Sequence, residues 1–195
     1  MLVTRGSSRY LRRTVFGSIL ALVLASPALP ATDRSQQVVG KFSGGDLSGW
    51  EEKHFSGHTR YQLSGLEGQQ VLRADSDDSA SALLKQVTID LREYPYLNWR
   101  WRIDRQLETA DEQQKSADDY VARVYLLVET GPLPWQKRAL AYVWSHTRIA
   151  GESWPNAYIG DHAIMFSVQD RRDAVGQWHG HKHNVLEDMK RLLGE

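Results

Sequence analysis

The segment YLNWRWRIDR, residues 96–105, shows the clearest alternation of apolar and polar positions in the chain. Every second residue is apolar: Leu97, Trp99, Trp101 and Ile103. The residues between them are polar: Asn98, Arg100 and Arg102. Because successive side chains of a β-strand point to opposite faces, this period of two predicts a strand. The strand would have one apolar face, which packs in a core, and one cationic face.

Short apolar segments separated by turn signals indicate that most of the chain forms strands. Further strands are predicted at residues 38–42, 59–64, 69–75, 81–90, 120–129, 138–145 and 162–169. The GLEG tetrapeptide between the second and third of these segments predicts a hairpin turn. The alanines and leucine of residues 138–145 are also compatible with a helix.

The residue types of two further segments predict a central strand and a loop. Apolar residues occupy both faces between Val124 and Val128, which predicts a central strand. Residues 151–158, GESWPNAY, are predicted to be a loop, because Pro155 and Asn156 both favour turns.

Residues 184–194, NVLEDMKRLLG, change to a helical period. Five apolar residues recur on one side of this helix: Val185, Leu186, Met189, Leu192 and Leu193. Asn184 can cap the start, with Glu187 three residues later, and Gly194 can end the helix. Eight or nine strands and one helix predict a mainly β fold, namely a β-sandwich of jelly-roll type with one C-terminal amphipathic helix.

The N-terminal residues 1–31 have the layout of a secretory signal peptide. Four arginines precede a run of about a dozen apolar residues, which is followed by small residues up to Ala31. The run is shorter than the ~20 residues of a membrane span, although an uncleaved anchor is the alternative. Residues 32–195 would then be a single β-sandwich domain in the periplasm, in contact with a membrane only if the signal segment is retained.

Removal of residues 1–31 changes the charge of the protein. The chain has 24 basic and 24 acidic residues, and the four basic residues of the segment are lost, which leaves 20 basic and 24 acidic side chains. A domain of this charge does not attract nucleic acid by bulk electrostatics. The chain has no cysteine, which excludes disulfides, thiolate metal sites and cysteine nucleophiles.

Several segments together resemble a known bacterial family, the domain-of-unknown-function family 3047 (DUF3047). They are FSGGDLSGWEEKHFSGHTRYQL, SASALLKQVTIDLREYPYLNWRWRID, SADDYVARVYLLVE, ALAYVWS, SWPNAY and NVLEDMKRLLGE. The resemblance covers about Lys41 to Glu195 and implies an exported or envelope-associated protein with no established activity. A looser similarity to galactose-binding-like and carbohydrate-binding β-sandwich modules is an analogy of fold only. The HGHKH segment departs from the family pattern, so a histidine-based function would not be a family trait.

The candidate ligand-binding residues combine strand arginines, two acids and loop aromatics. They are Arg100, Arg102, Asp118, Asp119, Arg123, Trp144, Trp154, Asn156 and Tyr158. Guanidinium groups can bind carboxylates in pairs of hydrogen bonds or donate to sugar hydroxyls, and exposed aromatic rings provide flat contact surfaces. The alternative is structural: the arginines pair with acids such as Asp118 and Asp119, because buried charges are normally paired.

The HGHKH segment is the candidate metal site. On a strand, His179, His181 and His183 would share one face, where imidazoles can bind zinc or copper. The alternative is an accidental histidine-rich tract. His54 and His58 form a second spaced pair.

These features favour a non-catalytic binding module for a glycan or another polyhydroxylated ligand. One alternative is a hydrolase or lyase that uses Asp118 and Asp119 with Arg100 and Arg102. A second alternative is a structural or partner-binding envelope protein. No cofactor is required by any motif of the sequence.

Overall fold

The computed structural model describes residues 36–108, 111–129 and 137–194. The predicted signal peptide, residues 1–31, lies outside this part of the chain. The described residues form ten strands and one α-helix: β1 Glu51–Ser56, β2 Arg60–Leu66, β3 Gln69–Asp75, β4 Ala80–Leu84, β5 Tyr96–Trp101, β6 Ala122–Glu129, β7 Lys137–Trp144, β8 Ser153–Asn156, β9 Gly160–Gln169, β10 His179–Asn184 and α1 Val185–Leu193. The predicted mainly β fold is therefore confirmed.

The strands form one four-stranded sheet, in the order β6-β7-β9-β8, and three two-stranded sheets, β1-β4, β2-β3 and β5-β10. In the larger sheet β7 and β9 are parallel, whereas β6 and β8 pair antiparallel with their neighbours. The described strands thus establish a β-rich domain, and the jelly-roll order is not confirmed.

The β5-β10 sheet and α1 cover one face of the four-stranded sheet. Trp99 of β5 contacts Tyr142 of β7, with ring centroids 5.0 Å apart, and His183 of β10 contacts Phe166 of β9 at 5.7 Å. The buried residues of this core are Leu140, Tyr142, Phe166, Val185, Met189 and Leu193. The apolar face predicted for residues 97–103 therefore packs in the core, and Trp101 and Ile103 are buried.

The segment of residues 111–121 covers the opposite face of the four-stranded sheet. Its Tyr120 packs with Ala141, Val143, Trp154 and Met165. Glu112 fixes the start of the segment, because its buried carboxylate accepts hydrogen bonds from Ser145, the backbone of His146 and Thr147. Both faces of the sheet are thus buried, which explains why β7 is almost continuously apolar.

The hairpin and the helix follow the sequence pattern closely. The β2–β3 turn contains Glu67 and Gly68, both with positive φ, as a two-residue turn between twisted strands requires. Asn184 caps α1 by accepting a hydrogen bond from the backbone of Glu187 at 3.1 Å, and Gly194 ends the helix in a left-handed conformation.

Four predictions of local structure are wrong. The strand predicted at residues 81–90 ends at Leu84, and residues 85–90 have no regular structure. Residues 38–42 do not form a strand, and the short 3-10 helix Phe42–Gly44 overlaps their end. Residues 153–156, within the predicted loop, form β8, where Pro155 is tolerated because β8 is an edge strand. Strand β6, predicted to be central, lies at the other edge of the sheet.

Within the described residues, no helix is both long and apolar enough to span a membrane.

Candidate functional site

The side of the β5-β10 sheet that faces away from the four-stranded sheet carries a group of polar and aromatic residues. In the antiparallel register Arg100 lies opposite Gly180, and Asn98 lies opposite Lys182. Because the tryptophans of β5 and the histidines of β10 point into the core, the alternate residues share the opposite face. We call the following set the outer face: Tyr96, Asn98, Arg100, Gly180 and Lys182, together with Trp178 just before β10.

Two cations lie on aromatic rings of the outer face. The guanidinium carbon of Arg100 is 4.9 Å from the centroid of Trp178, and Nζ of Lys182 is 4.6 Å from the centroid of Tyr96. Arg100 also donates a hydrogen bond to Gln69. Among the residues that the structure describes, neither Arg100 nor Lys182 has a carboxylate partner, so their charges remain available to an anionic group.

Gly180 leaves space between these groups. A Cβ atom at this position would meet no heavy atom within 4 Å. A shallow depression of ≈ 470 Å³ lies here, lined by Asn98, Trp99, Arg100, Gly180, His181 and Lys182. The outer face is thus an open surface with charged groups and flat rings. Such a surface suits an extended ligand more than a small molecule that needs an enclosed pocket.

Arg102 has a structural role. Its side chain is only 19% exposed and forms ion pairs with Glu67 at 2.5 Å and with Asp104 at 3.4 Å. It therefore joins β5 to the β2–β3 turn. Arg102 is therefore paired with acids, as the structural alternative predicts. The sequence suggested Asp118 and Asp119 as its partners, whereas in the structure they are Glu67 and Asp104.

A second set of predicted residues meets on the far side of the four-stranded sheet. Asp118 accepts a hydrogen bond from the Asn156 amide at 3.3 Å, and Arg123 lies over the ring of Tyr120 at 5.0 Å. Burial raises the pKa of Asp118, and the nearby Arg123 guanidinium opposes that rise. Asp119, the neighbouring acid, is exposed.

The remaining aromatic and amide residues of the predicted site have structural contacts. Trp144 is 1% exposed, and its indole donates to the carbonyl of Asp170, so the prediction that Trp144 contacts a ligand is wrong. Trp154 is buried and donates to the hydroxyl of Tyr120. Asn156 accepts hydrogen bonds from two backbone amides of the β8–β9 turn. Tyr158 is exposed, and its hydroxyl donates to the carbonyl of Lys115 at 2.7 Å.

The predicted site residues thus fall into two groups that do not meet. Arg100 lies beyond the β5-β10 sheet, which covers one face of the four-stranded sheet, whereas Asp118 lies on the other face. Packed sheets are ~10 Å apart, so one ligand of ordinary size cannot contact both groups.

The three histidines of β10 share one face, as the alternation predicts, and that face is the inner one. His181 stacks on Trp99 with ring centroids 4.9 Å apart and donates from Nε2 to Gln169. His183 donates from Nδ1 to Asp188 at 3.2 Å, and His179 donates to the carbonyl of Ala174 at 2.8 Å. One nitrogen of each ring is directed to a different partner, and among the described residues these three histidines do not form a group with the spacing of a metal site.

Burial and hydrogen bonds shift the pKa values of two groups on this inner face, His181 and Asp188. Burial lowers the pKa of His181, and the neighbouring His183 and His179 lower it further. Burial of Asp188 would raise its pKa, but hydrogen bonds from Arg191, Tyr142 and His183 outweigh it and lower the pKa. The Asp188 carboxylate is therefore charged where it accepts hydrogen bonds from Arg191 of α1 and His183 of β10.

Sequence reasoning missed three members of the outer face, namely Tyr96, Gly180 and Lys182. The signal for Gly180 and Lys182 is present in the HGHKH segment. Once the histidines point inward, the residues between them must point outward beside Arg100.

The comparisons with known proteins identify the family. The family model described as "Protein of unknown function (DUF3047)" matches residues 48–195. No curated protein matches the chain, and no solved structure matches it. The match covers most of the chain, including the strands and the helix that form the outer face and the core, and the chain therefore belongs to the DUF3047 family.

Proposed function

We propose that this protein is a non-catalytic binding module of the bacterial envelope and that its outer face binds an acidic glycan. The observation that carries the proposal is the pair of cations, Arg100 and Lys182, that lie on Trp178 and Tyr96 without a carboxylate partner in the described structure. The predicted signal peptide of residues 1–31 supports export to the periplasm.

The chemistry of these residues matches a sugar that carries a carboxylate, sulfate or phosphate group. The planar guanidinium of Arg100 can donate two parallel hydrogen bonds to such a group. Lys182 is diagonal to Arg100 in the register, about 7–8 Å away along the sheet. The Asn98 amide can both donate to and accept from hydroxyls. The edges of the Trp178 and Tyr96 rings add apolar contact with the sugar ring.

The proposal of a hydrolase or lyase that uses Asp118 and Asp119 with Arg100 and Arg102 has less support. It requires these four side chains in one pocket, whereas the two pairs lie on opposite sides of the four-stranded sheet. Arg102 is moreover held by Glu67. Binding without turnover is therefore the function that we favour.

Binding to matched acidic and neutral polysaccharides tests the proposal. We expect the full-length protein to bind a uronic-acid polysaccharide and to bind its neutral counterpart much more weakly. Arg100→Ala should weaken binding by about 10- to 100-fold, since a hydrogen bond to a charged group contributes about 1.5–3 kcal/mol. The matched control is Arg60→Ala, because Arg60 is an exposed arginine on β2 that pairs with Asp75. This variant should bind like the wild type.

Other results would point elsewhere. Equal binding of neutral and acidic polysaccharides would contradict the role of the two cations. Release of shorter products during incubation would favour the enzyme alternative. Binding to no glycan, with the outer face intact, would favour a structural or partner-binding role.

A further inference from the structure

Three exposed side chains near β1 bring their metal-binding atoms together. Glu52, His54 and His58 each offer one ligand atom, and these atoms all lie within 4.8 Å of one another. The imidazoles of His54 and His58 are in contact, with ring centroids 4.0 Å apart. Among the described residues, this is the group of histidines and acids that meets the spacing of a metal site.

The backbone of this region explains why the three side chains converge. Glu52 and His54 are two residues apart on β1, so they share one face of the strand. A bulge follows between His54 and Ser56, where the register with β4 shifts. Bulges redirect the side chains that follow them.

Gly57 then completes the reversal of the chain. It has φ of +60°, and a Cβ atom there would lie 3.1 Å from Cβ of Ser79. Glycine is the residue that accepts both the conformation and the close approach. The turn places His58 back against His54.

Ser81 of β4 holds both ends of the group. It lies opposite His54 in the register, and its hydroxyl donates to Oε1 of Glu52 at 3.0 Å. The backbone amide of Thr59, the residue after His58, donates to the same hydroxyl at 3.4 Å. A hydrogen bond that orients a carboxylate is a typical feature of metal sites, where such partners support the ligands.

We propose that Glu52, His54 and His58 bind one zinc ion, with water in the remaining coordination position. Two imidazoles and one glutamate are an established ligand set for zinc with an open position. Zinc–ligand bonds of 2.0–2.1 Å place two ligands of a tetrahedral site ~3.3 Å apart. Nδ1 of His54 and Oε1 of Glu52 are already 3.3 Å apart. The site lies in the β1-β4 sheet, so it does not depend on the glycan proposal for the outer face.

Calorimetric titration of zinc into the full-length protein, without a histidine tag, tests this site. We expect one zinc ion per chain and a rise in melting temperature on addition of zinc, since a ligand that binds the folded state stabilises it. His54→Ala and His58→Ala should each weaken zinc binding by more than about tenfold, because loss of a direct ligand costs at least as much as loss of a supporting hydrogen bond. His162→Ala, an exposed histidine of β9, is the matched control and should bind like the wild type.

The possible outcomes decide the proposal. Circular dichroism without zinc should show that the variants retain the wild-type fold, because Glu52, His54 and His58 are all exposed. The proposal is overturned if the wild type gives no binding at ~0.1 mM zinc, a concentration far above that needed for structural zinc sites. It is also overturned if both histidine variants bind zinc as the wild type does, or if His183→Ala abolishes binding instead.

Discussion

The two histidine groups of the molecule lie in opposite surroundings. In β10 the alternating His179, His181 and His183 point toward the core and contact tryptophan, tyrosine and phenylalanine rings. Near β1, His54 and His58 lie in solvent beside Glu52. The more conspicuous sequence motif therefore packs the sheets together, whereas the less conspicuous pair has the geometry of a metal site.

The two histidine groups differ because of the strand with which each histidine-bearing strand pairs. Strand β10 pairs with β5, whose tryptophans are on the face that covers the four-stranded sheet, and the histidines must share that face. Strand β1 pairs only with β4 among the described strands and is exposed along its whole length. Face and burial, more than spacing, decide whether histidines are free to bind a ligand.

Removal of Trp101 should cause the largest loss of stability, because this indole supports His181 in the core. Trp101 is buried, contacts the rings of Trp144 and His181, and donates to Gln169. We expect Trp101→Ala to lower the free energy of unfolding by about 3–5 kcal/mol. Denaturation in urea measures this change.

The control is Trp178→Ala, which removes the same side chain from the outer face. Trp178 is partly exposed and stacks with Arg100. An exposed cation–π contact contributes about 0.5–1 kcal/mol, so the loss should be near that value. Equal losses for the two variants would show that the inner and outer faces of this sheet are not distinct.

Replacement of single histidines compares the two groups directly, in the absence of metal. His183 contacts Tyr142 and Phe166 and donates to Asp188. We expect His183→Ala to cost about 1–3 kcal/mol, whereas His54→Ala should change stability by less than about 0.5 kcal/mol. Asp188 keeps its hydrogen bonds from Tyr142 and Arg191, which limits the cost. A larger effect at His54 would contradict the assignment of the β10 histidines to the core.

The sequence predicts best where one local rule acts alone. The alternation in β5, the β2–β3 hairpin and the Asn184 cap are each determined by neighbouring residues, and the structure contains all three. Strand β6 was predicted to be central because its apolar residues occupy both faces. An edge strand shows the same pattern when other parts of the chain cover both of its faces. In the four-stranded sheet, β10 lies over one face and residues 111–121 lie over the other.

The candidate site required knowledge of pairing that the sequence does not contain. Arg102 is held by Glu67, which is 35 residues away in the chain, and Arg100 is adjacent to Gly180 through the register with β10. His58 lies against His54 because of a bulge in β1 and the left-handed conformation of Gly57. The spacing of two histidines four residues apart predicts neither feature. Such long-range pairings have no local signal, so the sequence suggested Asp118 and Asp119 as acid partners, whereas Arg102 pairs with Glu67 and Asp104.

The smallest expected effect is the pH dependence that His181 gives to stability. Burial lowers the pKa of His181 in the folded protein, whereas in the unfolded chain the ring has a pKa of about 6.5. As pH falls through about 6.5, the unfolded chain therefore binds more protons than the folded one, and the free energy of unfolding decreases. The loss is complete once the pH is below the folded-state pKa, and above about pH 7.5 this residue has no effect. The carboxylates with lowered pKa values, such as Asp188, act in a separate window below about pH 4.

Urea denaturation between pH 7.5 and 5 should show this decrease in the free energy of unfolding of the wild type. The decrease should be smaller in His181→Gln, which keeps a donor for Gln169. A profile in His181→Gln that falls as steeply as that of the wild type would show that burial of this ring does not cause the loss of stability.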